Sequence, residues 1–168
     1  MKKVLIIGSG RAGKSTLARQ LGTILGLEVV HLDALYWHPG WVETPKPNWR
    51  EVVQDLLQQE TWIMDGNYGS TLDIRLAIAD TVIFLDFPRL LCLWRVCKRW
   101  WQYANETRPD MAAGCPEKLD WEFLYWVWTY PSRRRSTILE KLSQLAPEQR
   151  VLILRSPSAV QQFLQELQ

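Results

Sequence analysis

Five short apolar runs punctuate the chain: Lys3-Val-Leu-Ile-Ile7, Glu28-Val-Val-His-Leu-Asp33, Thr61-Trp-Ile-Met-Asp65, Thr81-Val-Ile-Phe-Leu-Asp86 and Arg150-Val-Leu-Ile-Leu154. None alternates apolar with polar residues, so each is expected to be a strand buried on both faces, as in a central parallel sheet. Between the runs, apolar positions recur at helical spacing. Leu17, Leu21, Ile24 and Leu25 form one face of a helix that Gly26 stops. A second helix is predicted from Asn48 to about Gln59, with Asn48 and Glu51 as a capping box. Others are predicted from Leu72 to Ala79, from Leu90 to Tyr103, and from Asp120 to about Leu145 with an interruption near Pro131. The last helix starts at Ser156-Pro157, with serine as cap and proline in the first helical position. The stretch from Tyr36 to Asn48 holds Pro39, Pro45 and Pro47 and reads largely as loop, and Arg108 to Pro116 breaks the pattern again. Strands alternating with helices predict a three-layer α/β fold with a parallel sheet.

Composition narrows the class. The 168 residues suit a single domain spanning 1–168. With 47% hydrophobic and 23% charged residues the chain is expected to fold around a core. A net charge of +2 is too small to argue by itself for nucleic acid. No apolar run approaches a membrane span, and Gly8-Ser-Gly-Arg interrupts any signal-peptide core at the N-terminus. Three cysteines without a C-x-x-C, and only two histidines, offer no zinc-ligand spacing; reduced thiols in a cytoplasmic protein are expected. The anomaly is 10 tryptophans, six of them between Trp94 and Trp128.

Gly8-Ser-Gly-Arg-Ala-Gly13-Lys14-Ser15 matches G-x-x-x-x-G-K-[ST] in full, between a predicted strand and a predicted helix. Such a loop curls so that successive N–H groups face phosphate oxygens, with the helix adding its positive end. Gly8, Ser9, Gly10, Arg11, Ala12, Gly13, Lys14, Ser15 and Thr16 are therefore the candidate nucleotide-binding residues. Lys14 would place charge on the β/γ-phosphates and Ser15 would offer a hydroxyl to Mg²⁺. Three carboxylates close strands, Asp33, Asp65 and Asp86, and the pattern alone does not choose which serves the metal or the acceptor. Residues 89–150 carry 11 Lys and Arg against 7 Asp and Glu. Within them Arg95 and Arg99 share a helix face, and Arg133, Arg134 and Arg135 follow; such cations could stabilise a transferring phosphoryl group. No [NT]-K-x-D guanine motif occurs, and Glu117-Lys-Leu-Asp120 is only a near match, so ATP is expected rather than GTP.

The P-loop, Asp65-Gly66, Leu85-Asp86-Phe-Pro88 and the Arg95/Arg99 pair together resemble the adenylate-kinase-like group of nucleotide and small-molecule kinases. More narrowly, His31-Leu-Asp33, Trp41, Trp62-Ile-Met-Asp-Gly-Asn-Tyr68, Arg75, Ala79 to Asp86, Pro88-Arg89, Arg108-Pro-Asp-Met111 and Gly114-Cys-Pro-Glu117 resemble bacterial proteins labelled "DNA topology modulation protein". This resemblance spans nearly the whole chain. It implies five parallel strands in order 2-3-1-4-5, an acceptor-side segment over 34–60 and a lid over about 100–130. It further implies that Arg95 and Arg99 touch ATP phosphates, that arginines from Arg133 and Arg134 reach the transferred group, and that Asp65 rather than Asp86 stands near Mg²⁺. A four-cysteine zinc lid, known in some adenylate kinases, does not carry over, since Cys115 is the lone cysteine there. Where nucleoside-monophosphate kinases commonly continue D-G-F-P-R, this chain continues Asp65-Gly-Asn-Tyr68, and its next arginine is Arg75. Without that arginine clamp a monophosphate acceptor is less expected; in related kinases of hydroxylated small molecules a carboxylate at the end of the second strand holds or deprotonates the acceptor hydroxyl, and the resemblance implies that role for Asp33.

The expected function is an ATP- and Mg²⁺-dependent phosphotransferase acting on an unidentified small molecule. The alternatives are a nucleotide-gated regulatory or DNA-associated ATPase, or a nucleoside-monophosphate kinase with a displaced acceptor arginine, Arg75 or Arg50. Trp37 and Trp41 would wall the acceptor pocket with Arg75 nearby. In the predicted helix after Asp120, Trp121, Tyr125 and Trp128 share one face, while Phe123, Trp126 and Tyr130 share another. A helix apolar on several sides is expected to be packed, so this cluster reads as lid packing rather than a base-stacking platform.

Overall fold

The computed structural model describes residues 1–102, 114–115 and 121–168, with Arg99 and Gln102 described by backbone alone. The narrow-family motifs at 108–111 and 116–117, and the near-GTPase motif at 117–120, lie outside the described residues.

The central strand is β1 (Lys3–Gly8), and it pairs in parallel with β5 (Trp62–Asp65) on one side and β6 (Thr81–Leu85) on the other. The edges are β2 (Val29–His31) and β7 (Arg150–Leu154), giving the order β2-β5-β1-β6-β7. Counting only the strands of this sheet, that is the expected 2-3-1-4-5. The unbroken apolar run of β1 follows from burial on both sides. Because side chains alternate along a strand, Leu5 and Ile7 join a core with α3 (Lys46–Leu57), α4 (Gly69–Ile78) and α7 (Arg135–Ser143). Val4 and Ile6 join a second core with α1 (Lys14–Leu25), α5 (Arg89–Gln102) and α8 (Pro157–Gln165). Val4 through Ile7 have no exposed surface, and each such side chain stabilises by about 1.5–3 kcal/mol.

Several elements depart from the sequence pattern. The second strand stops at His31, and Asp33 falls in the first turn of a short helix, α2 (Leu32–Tyr36). The proline-rich segment is not simply loop. Trp37–His38 (β3) and Val42–Glu43 (β4) form an antiparallel hairpin, tied by Tyr36 Oη to Glu43 (2.9 Å) and by Thr44 Oγ1 to the Tyr36 carbonyl (2.7 Å). Helix α3 begins two residues before Asn48, with Pro47 in its first turn, so Asn48 and Glu51 are interior and do not cap it. Pro131 lies inside α6 (Trp121–Arg133), and the break before α7 comes at Arg134. In that turn Thr129 and Ser132 hydroxyls donate to the carbonyls of Tyr125 (2.8 Å) and Thr129 (3.0 Å). The Ser156 cap is present, accepting from the Ala159 amide at 3.2 Å.

Helix α6 crosses the carboxyl edge of the sheet. Val127 belongs to the core on the α1 side, whereas Tyr130 belongs to the core on the α3 side. The two aromatic faces have separate fates. Phe123, Trp126 and Tyr130 turn inward, while Trp121, Tyr125 and Trp128 are exposed. Trp94, Trp100 and Trp101 on α5 are exposed as well. The expected packing therefore holds only for the inward face.

Candidate active site

The P-loop joins β1 to α1 and is turned by an Ala12 amide to Ser9 carbonyl bond of 3.2 Å. Gly10 admits no side chain: a Cβ there would stand 2.8–2.9 Å from Phe123, Trp126 and Val127 of α6. Lys14 folds over its own loop, donating to the carbonyls of Gly8 (3.2 Å) and Ser9 (3.0 Å). Withdrawal from water lowers its pKa, and the carboxylates of Asp33 and Asp65 partly oppose that shift. The loop also opens α1, whose first amides and macrodipole favour an anion at this point.

The three strand-end carboxylates separate by their partners. Asp65 accepts from Ser15 Oγ at 2.7 Å and meets His31 Nδ1 at 2.5 Å. Asp86 is gripped by Arg135, Nε at 2.8 and 3.0 Å and Nη2 at 2.8 Å, with Arg155 Nε at 3.8 Å. Asp33 accepts from Tyr68 Oη at 2.6 Å. Only Asp65 joins the P-loop serine directly. A hydroxyl and a carboxylate are hard oxygen donors of the kind Mg²⁺ takes, leaving its remaining positions to phosphates and water.

The loop after β5 connects these parts. Gly66 adopts φ 142°, and a Cβ there would lie 2.9 Å from Leu32 Cβ, so glycine is required on both counts. Asn67 clamps Gly8 from both sides, its Nδ2 donating to the carbonyl (2.7 Å) and its Oδ1 accepting from the amide (3.1 Å). Arg75 is not turned toward an acceptor. It is fully buried, and its guanidinium donates to the carbonyls of Gly66 (2.8 Å), Asn67 (2.7 Å), Tyr68 (2.9 Å) and Thr71 (3.3 Å). Burial pushes its pKa down. His31 and Asn67 stood in the sequence only as members of the family motifs, with no role assigned; both find partners over 30 positions away, so their contacts could not be read locally.

The candidate arginines scatter. Arg95 leans on the P-loop, Nη1 donating to the carbonyls of Ala12 (3.0 Å) and Arg11 (3.4 Å). Arg99 lies on α5, with its side chain outside the described ones. Arg133 stacks on exposed Tyr125 and Arg134 lies over Trp126. The hairpin sits near Asp33 through a chain of rings: Trp41 against Trp37 (5.4 Å), Trp37 against Tyr36 (5.1 Å), and Tyr36 against Tyr68 (4.5 Å). Gly114 and Cys115 touch this hairpin, with Gly40 donating to Gly114 (2.9 Å) and Cys115 Sγ to His38 (3.2 Å). Thr16 is exposed on α1.

No protein-family model matches the chain. A shikimate kinase of Rhodococcus erythropolis is 33% identical over 134 residues, covering 68% of this chain and 73% of that one. Among solved structures, the chain superposes on shikimate kinase from Acinetobacter baumannii in complex with shikimate (TM-score 0.65, 16% identity, 99% of this chain and 90% of that one). It also superposes on deoxyadenosine kinase from M. mycoides with bound dATP (TM-score 0.54, 15% identity, 98% of each chain). Among the described residues no helix is long and apolar enough to cross a membrane. A complete P-loop on this sheet order, with a relative of that identity and coverage, establishes that the chain belongs to the shikimate-kinase-like P-loop kinases of the adenylate-kinase-like superfamily.

Proposed function

We propose that this kinase moves the γ-phosphate of ATP to a hydroxyl of a small acceptor lying beside Asp33. The observation that carries the reading is the turn after β5, where Asp65 accepts from the P-loop Ser15 at 2.7 Å, Asn67 holds Gly8 at 2.7 Å and Tyr68 donates to Asp33 at 2.6 Å. One turn thus ties the phosphate-holding loop to both the metal-side and the acceptor-side carboxylate. Lys14 and the loop amides hold the phosphates. Ser15 and Asp65 hold Mg²⁺, which when bound neutralises phosphate charge. Arg95, Arg99 and Arg133 or Arg134 meet the charge of the transferring group as the lid closes. Asp33 takes the proton from the acceptor hydroxyl, and Tyr68 fixes its orientation.

The acceptor is a small hydroxylated molecule with a flat or apolar face. Trp37 and Trp41 supply an aromatic wall, and the guanidinium of Arg75 is already committed to backbone carbonyls. Shikimate, the ligand of one structural relative, is one candidate. We place the chain in the narrower "DNA topology modulation" branch on its His31-Leu-Asp33 and Asp65-Gly-Asn-Tyr68 motifs, acting in the cytoplasm on a small molecule. The test is ATP–Mg²⁺ turnover against a panel of hydroxylated metabolites that includes shikimate, gluconate and nucleosides. Acceptor-dependent ADP release is expected, falling by about 10²–10⁴-fold in Asp33→Asn while ATP still binds. Slow hydrolysis with no acceptor gaining phosphate would overturn the proposal.

A further inference from the structure

Helices α5 and α6 are apolar on two sides, and the fold uses only one of them. Cys92 and Val96 of α5 and Val127 of α6 are buried in the core on the α1 side, with Phe123 and Trp126 packed against it. The opposite side of α5 carries Leu90, Trp94, Cys97 and Trp101, spaced i, i+4, i+7 and i+11, which makes one stripe about 17 Å long. All four are exposed, Trp101 by 81%. On α6, Trp121, Tyr125 and Trp128 stand at i, i+4 and i+7 and are exposed as well, Trp121 by 79%. The Arg89 guanidinium, at the start of α5, lies 4.1 Å over the Trp128 ring, so the two stripes adjoin there. Soluble monomers rarely expose a contiguous apolar surface of this kind unless something covers it.

The chemistry of the face narrows what covers it. Helix α5 carries four cations and no carboxylate. Arg95 turns to the P-loop, while Arg89 and Lys98 are exposed among the rings. Glu122 is the one carboxylate of α6, beside Trp121, and Arg133 on the same helix offsets it. A second copy of the chain would set these cations against their own kind, which opposes a symmetric dimer. Single-stranded nucleic acid would suit the charge but needs free ring faces for its bases. Here Lys98 Nζ sits 5.1 Å over Trp94, Arg89 covers Trp128, and Arg133 lies 5.5 Å over Tyr125. Leu90 and Cys97 offer no ring at all. An anionic bilayer surface asks for no stacking: it takes Trp and Leu into the headgroup–acyl boundary while neighbouring Lys and Arg meet lipid phosphates.

We propose that the outer face of α5 and α6 is a docking surface for an anionic lipid bilayer. The kinase lies on the bilayer without spanning it, with Leu90, Trp94 and Trp101 in the interface and Arg89 and Lys98 on the headgroups. Phe123, Trp126 and Val127, on the other side of α6, stand against Gly10 of the P-loop, so lipid and nucleotide are met by opposite faces of that helix.

The test is flotation of the full chain with vesicles of equal parts phosphatidylcholine and phosphatidylglycerol, against vesicles of phosphatidylcholine alone. The chain is expected to float with the anionic vesicles, its tryptophan emission moving to shorter wavelength, and to bind neutral vesicles more weakly by about tenfold or more. The double variant Trp94→Ser, Trp101→Ser should lose about tenfold or more on anionic vesicles, and Lys98→Glu about fivefold or more. These side chains are exposed, so the variants should keep the wild-type melting temperature and ATP binding. The proposal falls if the chain does not float with anionic vesicles at millimolar lipid, floats equally with both kinds, or floats unchanged in both variants. It falls equally if the variants instead abolish binding to single-stranded oligothymidylate that competes with the vesicles, or a concentration-dependent dimer in sedimentation. Those outcomes would give the face to nucleic acid or to a second copy.

Discussion

Arg75→Met is the substitution that most directly probes how the site is held. The wild-type guanidinium satisfies the carbonyls of Gly66, Asn67 and Tyr68 at 2.7–2.9 Å, inside the protein. Methionine fills a similar volume and leaves the Gly66 and Asn67 carbonyls bare, while that of Tyr68 still accepts from the Thr71 amide at 3.1 Å. A buried polar group stripped of its partner costs about 1–3 kcal/mol, so two give roughly 2–6 kcal/mol. Relief from burying a guanidinium offsets about half of that, so a net loss of about 2 kcal/mol is expected. Against a total stability of about 5–15 kcal/mol that is a sizeable fraction. Urea unfolding reads it directly: with a slope of about 2 kcal/mol/M, the midpoint should fall by roughly 1 M at unchanged slope. Arg75→Lys keeps the charge but not the fork, and should recover less than half of the loss. A midpoint within about 0.5 M of wild type for Arg75→Met would refute the reasoning, showing that the carbonyls find other donors.

Three further outcomes are expected. Gly10→Ala drives a methyl to 2.8–2.9 Å from Phe123, Trp126 and Val127, and should cost about 1–3 kcal/mol in thermal unfolding while weakening ATP binding, as α6 is displaced from the P-loop. Tyr68→Phe removes the 2.6 Å bond to Asp33 and should lower acceptor turnover by about tenfold, with ATP affinity unchanged in a direct binding assay. Asp80 accepts from the amides of Lys2 and Lys3 and from Thr81 Oγ1; burial raises its pKa, but those bonds outweigh it and hold the carboxyl below its usual range. Its stabilisation is present above the unfolded pKa and lost as pH falls through the lower folded one. Asp80→Asn should therefore cost about 1 kcal/mol at pH 7, and its urea midpoint should converge on wild type below about pH 4.

What was legible in the sequence follows the range of the interactions. Strand β1 and the P-loop are local facts: apolar continuity and a glycine-rich consensus on adjacent residues. The aromatic faces of α6 were legible as faces, because helical period alone separates Phe123, Trp126 and Tyr130 from Trp121, Tyr125 and Trp128. Which face turns inward depends on where α6 crosses the sheet, and periodicity carries no record of that. Asn48 and Glu51 match a capping box locally, yet α3 starts earlier because Pro47 suits a first turn better than an interior. Arg75 and Asn67 were the hardest. An arginine after Asp-Gly looks like a ligand-binding cation, and only tertiary structure shows that it is buried against carbonyls of its own loop.

That loop also accounts for the chain's departure from D-G-F-P-R. A site of this kind must keep the phosphate end and the acceptor end in fixed relation, since a displacement near 1 Å at the reacting atoms can cost about 10²-fold in rate. Here four consecutive residues do so from one end of β5. Asp65 meets Ser15, Gly66 passes against Leu32 where no side chain fits, Asn67 holds Gly8, and Tyr68 holds Asp33. The carboxyl ends of β1, β2 and β5 are thereby tied to a single turn, and Arg75 fixes that turn from within. Aligned on Asp65-Gly66, the phenylalanine and proline of D-G-F-P-R fall at Asn67 and Tyr68 and could make neither tie, while its arginine falls at Gly69. This chain has the two placing residues and no cation at 69, which under the proposed function fits a hydroxylated acceptor better than a phosphorylated one.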